Sequence, residues 1–206
     1  MKRTLSFETS REPALLVLGT ALVAATYGLV RLAYGLFLPD IQAALDLGDR
    51  AAGYISSGGS LAYCLGALVG LVAATRPRLL VVGALVTASG GAAGMALATD
   101  TAWFAALAVL SSAGAGLASP GLVAIVARNV PVVRRDRAQA VVNSGTGPGL
   151  VAAGVLALVL LPEWRLAFAV SAVLTAAAAV GVLLLDRPDP AAGSHVTDRR
   201  TAVGGR

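Results

Sequence analysis

The chain has 206 residues, 57% of them hydrophobic and only 13% charged, with a net charge of +5. That balance is far from a soluble domain's and places the chain in a lipid bilayer. One cysteine, Cys64, and one histidine, His195 in a polar tail, exclude an intramolecular disulfide, a zinc cluster and a histidine-based triad, so no catalytic residue, metal or cofactor is expected and an enzymatic role is not.

A helix needs roughly 20 apolar residues to cross about 30 Å of hydrocarbon. Six stretches reach that length, at 14–38, 51–74, 79–98, 102–126, 138–161 and 164–185. Their apolar runs are continuous rather than alternating, which predicts helices and not barrel strands, because backbone groups in lipid must be satisfied within their own segment. The first run is too long for the apolar core of a signal peptide. The chain thus divides into a cytoplasmic segment 1–13, an all-α transmembrane domain 14–186, and a Pro-, Gly- and charge-rich tail 187–206 that reads as a disordered cytoplasmic tail or a linker.

Span 1 carries TYGLVRLAYGLFLPD, residues 26–40. An arginine in hydrocarbon costs a few kcal/mol unless it snorkels, finds a partner or faces water. In α-helical geometry Tyr27, Gly28, Tyr34 and Gly35 stand three and four residues from Arg31, so one face presents two phenols and a guanidinium. Two readings stay open: this face walls a polar cavity, or Arg31 snorkels to the boundary near Leu38, about 10 Å away at 1.5 Å per residue. All eleven carboxylates fall in loops or tails. Arg31 therefore lacks an intramembrane acid, and its planar fork suits an anionic group on a substrate.

Further along, span 2 carries Ser56, Ser57, Ser60 and Tyr63, span 4 carries Ser111, Ser112 and a Ser119-Pro120-Gly121 break, and span 5 carries NSGTGPG, residues 143–149. Spans 3 and 6 are nearly pure Ala, Val, Leu and Gly. The candidate cavity residues are Tyr27, Arg31, Tyr34, Ser57, Tyr63, Ser111, Ser112, Asn143 and Thr146. Pro120, Gly121, Gly145, Gly147 and Pro148 are candidate hinges, since proline removes a helical hydrogen bond and glycine permits sliding contacts. For each small residue, close helix packing is the competing explanation.

Thirteen of the sixteen basic residues lie in the N-terminal segment, the 75–78 turn, the 127–137 loop and the C-terminal tail; the other side holds only Arg50 and Arg165. Both termini are therefore expected on the cytoplasmic side of the cell membrane. A nucleic-acid partner is not expected, because the basic residues are spread over short loops without interleaved aromatics.

Three segments carry a family resemblance. FLPDIQAALDLGDRAAGYISSGGSLAYCLGALVG (37–70), RRDRAQAVVNSGTGPGLVAAGVLA (134–157) and EWRLAFAVSAVL (163–174) are similar, in that order, to the end of helix 1 with helix 2, the basic loop with the Gly-Pro motif of helix 5, and the Trp-Arg-x-x-Phe opening of helix 6 in the major facilitator superfamily. The chain resembles the N-terminal six-helix half of such a carrier, built as a 3+3 inverted repeat. The resemblance implies transport of a small-molecule solute by alternating access, together with a second six-helix half or a homodimeric partner. It also implies that helices 1, 2, 4 and 5 approach the cavity while 3 and 6 lie outside. Two departures stand out. GLVAATRPRLL (70–80) has Ala74 where the family's loop between helices 2 and 3 has an aspartate, which puts that loop's latch in doubt, and LSSAGAG (110–116) has serines where proton-coupled members often carry an arginine. The Gly-Pro motif is associated with exporters, so efflux is expected ahead of import, although Val151 replaces a motif glycine. The alternative is a half-size or truncated membrane protein without transport activity, acting as a structural partner subunit.

Overall fold

The computed structural model describes residues 4–187, with side chains from residue 11 onward. The tail 188–206 and residues 1–3 lie outside the described residues. Six helices long and apolar enough to cross a membrane run Arg11–Leu36, Asp49–Val72, Pro77–Ala96, Thr101–Asn129, Val132–Leu160 and Trp164–Leu185, spans 1 to 6 below. No strand occurs among the described residues. Most of the sequence-predicted edges shift by two or three residues. The largest difference is at span 5, which starts at Val132 because the basic 132–137 segment is itself helical.

The connection after span 1 is more than a loop. Pro39 opens a helix, Leu38–Leu45, that ends at Asp46 in the left-handed conformation (φ 50°). Its Ile41 and Leu45, with Phe37 and Leu47 on either side, are buried. They seal one end of the bundle, where Phe104, Trp164 and Phe168 stack edge-to-face. Thr101 Oγ1 donates to the Leu45 carbonyl (2.6 Å) and Gln42 Nε2 to Asp49 (2.8 Å), pinning this short helix to spans 2 and 4. We call this the far end; the end where span 1 begins and span 6 finishes is the terminal end.

Packing is pairwise. Span 1 lies along spans 5 and 6, span 4 along spans 2 and 3, and span 3 against span 6. Exchanging spans 1, 2 and 3 with 4, 5 and 6 maps these principal pairs onto themselves, as an internal 3+3 repeat requires. The same chemistry joins both close pairs. A Cβ added at Gly28 would overlap the Gly149 backbone, and one at Gly149 or Gly145 would overlap the carbonyls of Ala24 or Thr20. Between spans 2 and 4, a Cβ at Gly66 would strike Ala113 O, and one at Gly116 would strike Tyr63 O. Lipid tails are as apolar as the side chains, so close backbone approach has to supply association that the hydrophobic effect supplies in water. Gly145 and Gly149 thus lie against span 1, with Ala153 and Ala157 continuing the same buried row.

Two spans contain π-helical turns. Ala24–Leu32 and Leu85–Ser89 are π-helical, and the Ala33 N–H reaches back five residues to Gly28 O. In each, a threonine hydroxyl bonds the carbonyl four residues earlier, Thr26 to Leu22 and Thr87 to Gly83. These hydroxyls satisfy carbonyls where the backbone ladder changes its spacing.

Span 4 holds a correction. The expected break at Ser119-Pro120-Gly121 is absent: Thr101–Asn129 runs through it as one helix. Gly70 of span 2 gives the Pro120 ring its space, since a Cβ at Gly70 would overlap that ring. Span 5 is interrupted instead, at Ser144 and Gly145, just before Thr146–Leu160. Pro148 cannot donate to the Ser144 carbonyl, and Gly147 N–H takes it at 3.1 Å.

Candidate functional site

A cleft of about 260 Å³ opens between spans 1, 2 and 4, lined by Arg31, Tyr34 and Gly35, by Ile55, Ser56, Gly59 and Ser60, and by Ala108, Ser111 and Ser112, with Met95 of span 3 at its back. Gly59 lets Ser112 approach span 2. The π-helical turn sets how span 1 presents its side chains. Tyr27 and Arg31 both turn to span 2, whereas Gly28 faces span 5.

Tyr63 gathers the first two. Its hydroxyl lies 2.7 Å from the Tyr27 hydroxyl, with the rings edge-to-face at 5.6 Å. The Arg31 guanidinium carbon sits 4.7 Å from the centre of the Tyr63 ring, and Nη2 donates a long bond of 3.4 Å to Ser60 Oγ. Tyr34 departs from the single-face expectation. It is buried against Phe104, and its hydroxyl donates to Ala52 O at 3.2 Å, so only part of it meets the cleft.

The direction of the Arg31 side chain bears on its two sequence readings. Ser60 lies midway along Asp49–Val72, roughly 17 Å from either end at 1.5 Å per residue. A snorkelling side chain would run toward Leu36 and the far end. This one meets the middle of span 2.

Donors in the cleft are unevenly committed. Ser60 donates to Ser56 O (3.1 Å), Ser111 and Ser112 to Ala108 O (2.9 and 3.2 Å), and Tyr34 to Ala52 O. Their hydroxyls have acceptor lone pairs left to offer. Arg31 forms no ion pair among the described residues, and its remaining N–H groups have no protein acceptor there. An arginine with a stacked face and an unfilled donor edge is suited to a carboxylate, sulfonate or phosphate.

Of the sequence candidates, Arg31, Tyr34, Ser111 and Ser112 line the cleft, and Tyr63 and Tyr27 stand beside it, Tyr63 against Arg31 and Tyr27 bonded to Tyr63. Ser57, Asn143 and Thr146 are exposed, and none lines the cleft. Thr146 bonds Asn143 O within its own span (3.3 Å). Ser56 and Ser60 take the place assigned to Ser57, because Ser57 lies one residue off the span 1 face. Met95 went unnoticed in a span that reads as purely apolar, and nothing in its neighbours signals that it reaches inward.

The terminal end holds a polar cluster that the sequence hid. Asp186, the residue after span 6, has a fully buried side chain. Arg128 engages it with both Nε (2.8 Å) and Nη2, Asn129 Nδ2 donates at 2.8 Å, and Arg78 stands 3.9 Å away while capping Leu183 O at 3.1 Å. This clasp joins the ends of spans 4 and 6 to the start of span 3.

Six helices of spanning length, an internal 3+3 packing pattern and a polar cleft that reaches from the far end to the middle of the bundle fit a multi-pass membrane protein of the transporter class. The sequence matches the Major Facilitator Superfamily over residues 17–203, and the chain belongs to that family. A comparison with curated proteins returned no match. The six-helix bundle is the architecture the sequence predicts, and membership in a transporter family agrees with the expected transport role.

Proposed function

We propose that the chain is one half of an alternating-access carrier whose substrate bears an anionic group, held by Arg31 against the Tyr63 ring. The observation that carries this is the mid-depth guanidinium with an unfilled donor edge facing the cleft. Tyr27 and Tyr63 orient it, and Ser56, Ser60, Ser111 and Ser112 supply hydroxyl oxygens around it.

A second six-helix unit, from another chain or a second copy, closes the cleft. Spans 2 and 5 are the least buried, and both carry exposed polar residues along their length: Ser56, Ser57 and Ser60 on one, Asn143, Ser144 and Thr146 on the other. Polar side chains at such depth are costly against lipid and suit a facing protein surface or water. The interruption at Ser144 and Gly145, with Gly147 and Pro148 exposed, gives span 5 a point of bending as the halves rock. The basic excess sets both termini on the cytoplasmic side of the cell membrane, and the likeness of the Gly147-Pro148 segment to the Gly-Pro motif of exporters favours export over import.

The test is transport in vesicles, with a panel of organic anions and neutral solutes and with Arg31→Ala beside wild type. Loss of anion transport and anion competition in the variant is expected. Unchanged transport and competition would remove the anionic reading. A chain that moves no solute and stays monomeric in detergent would favour the structural-subunit alternative.

A further inference from the structure

A second cavity, of about 510 Å³, opens at the terminal end between the start of span 1, the turn after span 4 and the end of span 6. Its walls combine two chemistries. Among the described lining residues, Arg11 and Arg134 stand with the carboxylate of Glu12, Arg187 lies at the rim, and Pro13, Leu15, Leu16, Pro131 and Leu185 form an apolar floor. Asp186 is close in sequence but does not neutralise the cavity, because Arg128 and Asn129 occupy its oxygens. Asn129 also accepts the Arg187 backbone N–H at 3.2 Å, which ties the exit of span 6 to the cavity rim.

The arginines are held differently. Arg134 Nη2 donates to Glu12 at 2.9 Å yet keeps a side-chain exposure of 61%. Arg11 is exposed and forms no ion pair among the described residues. A net positive, partly apolar cavity where helices leave the hydrocarbon matches an amphiphile that carries a phosphate above its acyl chains. A soluble anion would have no use for the Leu15, Leu16 and Leu185 floor.

We propose that this cavity binds the phosphate of an anionic phospholipid headgroup, with Arg11 and Arg134 as its donors and Glu12 as an internal competitor for Arg134. The site is separate from the Arg31 cleft and stands whether or not the transport reading does.

The experiment measures thermal unfolding of the purified full chain in mixed micelles of phosphatidylglycerol and phosphatidylcholine, reading the half-saturating fraction of phosphatidylglycerol. Arg11→Gln and Arg134→Gln are each expected to weaken the response about fivefold. Glu12→Gln is expected to strengthen it, a gain that a variant damaged in folding would not show. Arg137→Gln, an exposed arginine on span 5 outside the cavity lining, is expected to leave it unchanged. An equal loss in Arg137→Gln would assign the effect to diffuse charge and overturn the proposal. So would full retention of the response in both Arg11→Gln and Arg134→Gln, or equal stabilisation of wild type by inorganic phosphate.

Discussion

Two arginines in this bundle face opposite fates. Arg128, at the terminal end of span 4, is saturated: a buried carboxylate takes it in bidentate fashion, and Asn129 and Arg78 fill the remaining positions around Asp186. Arg31, at mid-depth, is stacked on Tyr63 and tethered by one long bond, with no carboxylate partner among the described residues. A buried ion pair with its lone pairs filled is a structural joint whose breakage strands a charge. An arginine stacked on one face and unfilled at its edge is suited to an anionic partner, and that is the role proposed for Arg31. The difference separates a side chain that holds the helices from one with donors to spare.

That contrast breaks most visibly at Asp186. Asp186→Asn is expected to lower stability by about 3–5 kcal/mol, the usual loss when one partner of a buried pair is removed. Unfolding of the purified protein by heat or denaturing detergent reads it. The anion response at Arg31 is expected to survive in whatever fraction stays folded. Next comes Gly28→Ala, where the added methyl meets the Gly149 backbone and has to push spans 1 and 5 apart. Overpacking of this kind costs about 1–3 kcal/mol, and here it also displaces the helix that carries Arg31.

These two predictions bear on what was legible in the sequence. The six spans and the family were, because long apolar runs and the 37–70, 134–157 and 163–174 segments are local signals. The Tyr-Arg-Tyr face was legible only in part. Its i±4 geometry assumed an α-helix, and the π-helical turn sends Tyr27 and Arg31 to span 2 while Tyr34 turns inward to Phe104. Asp186 was illegible, since it opens a polar run and its partners lie more than fifty residues away in the chain. NSGTGPG could be read as hinge or as packing. The bundle divides it: Gly145 and Gly149 lie against span 1, whereas a Cβ added at Gly147 would meet nothing within 4 Å.

Smaller effects sharpen the same contrast. Gly147→Ala, a methyl into open space on a helix, is expected to be neutral or to stabilise by up to about 1 kcal/mol, against the clear loss expected at Gly28. Arg31→Ala gives up a stacked contact worth about 0.5–1 kcal/mol and no ion pair, so its unfolding midpoint should lie close to wild type. A loss on the scale of Asp186→Asn would make Arg31 a joint as well and erase the distinction.

The most direct measurement is ligand-induced stabilisation of the purified chain, titrated with a series of organic carboxylates, sulfonates and phosphate esters and compared with neutral analogues of matched size. At least one anion is expected to raise the unfolding midpoint of the wild type, with the rise gone in Arg31→Ala and kept in Arg137→Gln. The same rise in Arg31→Ala, or no rise with any anion in the wild type, would contradict Arg31 as the receptor.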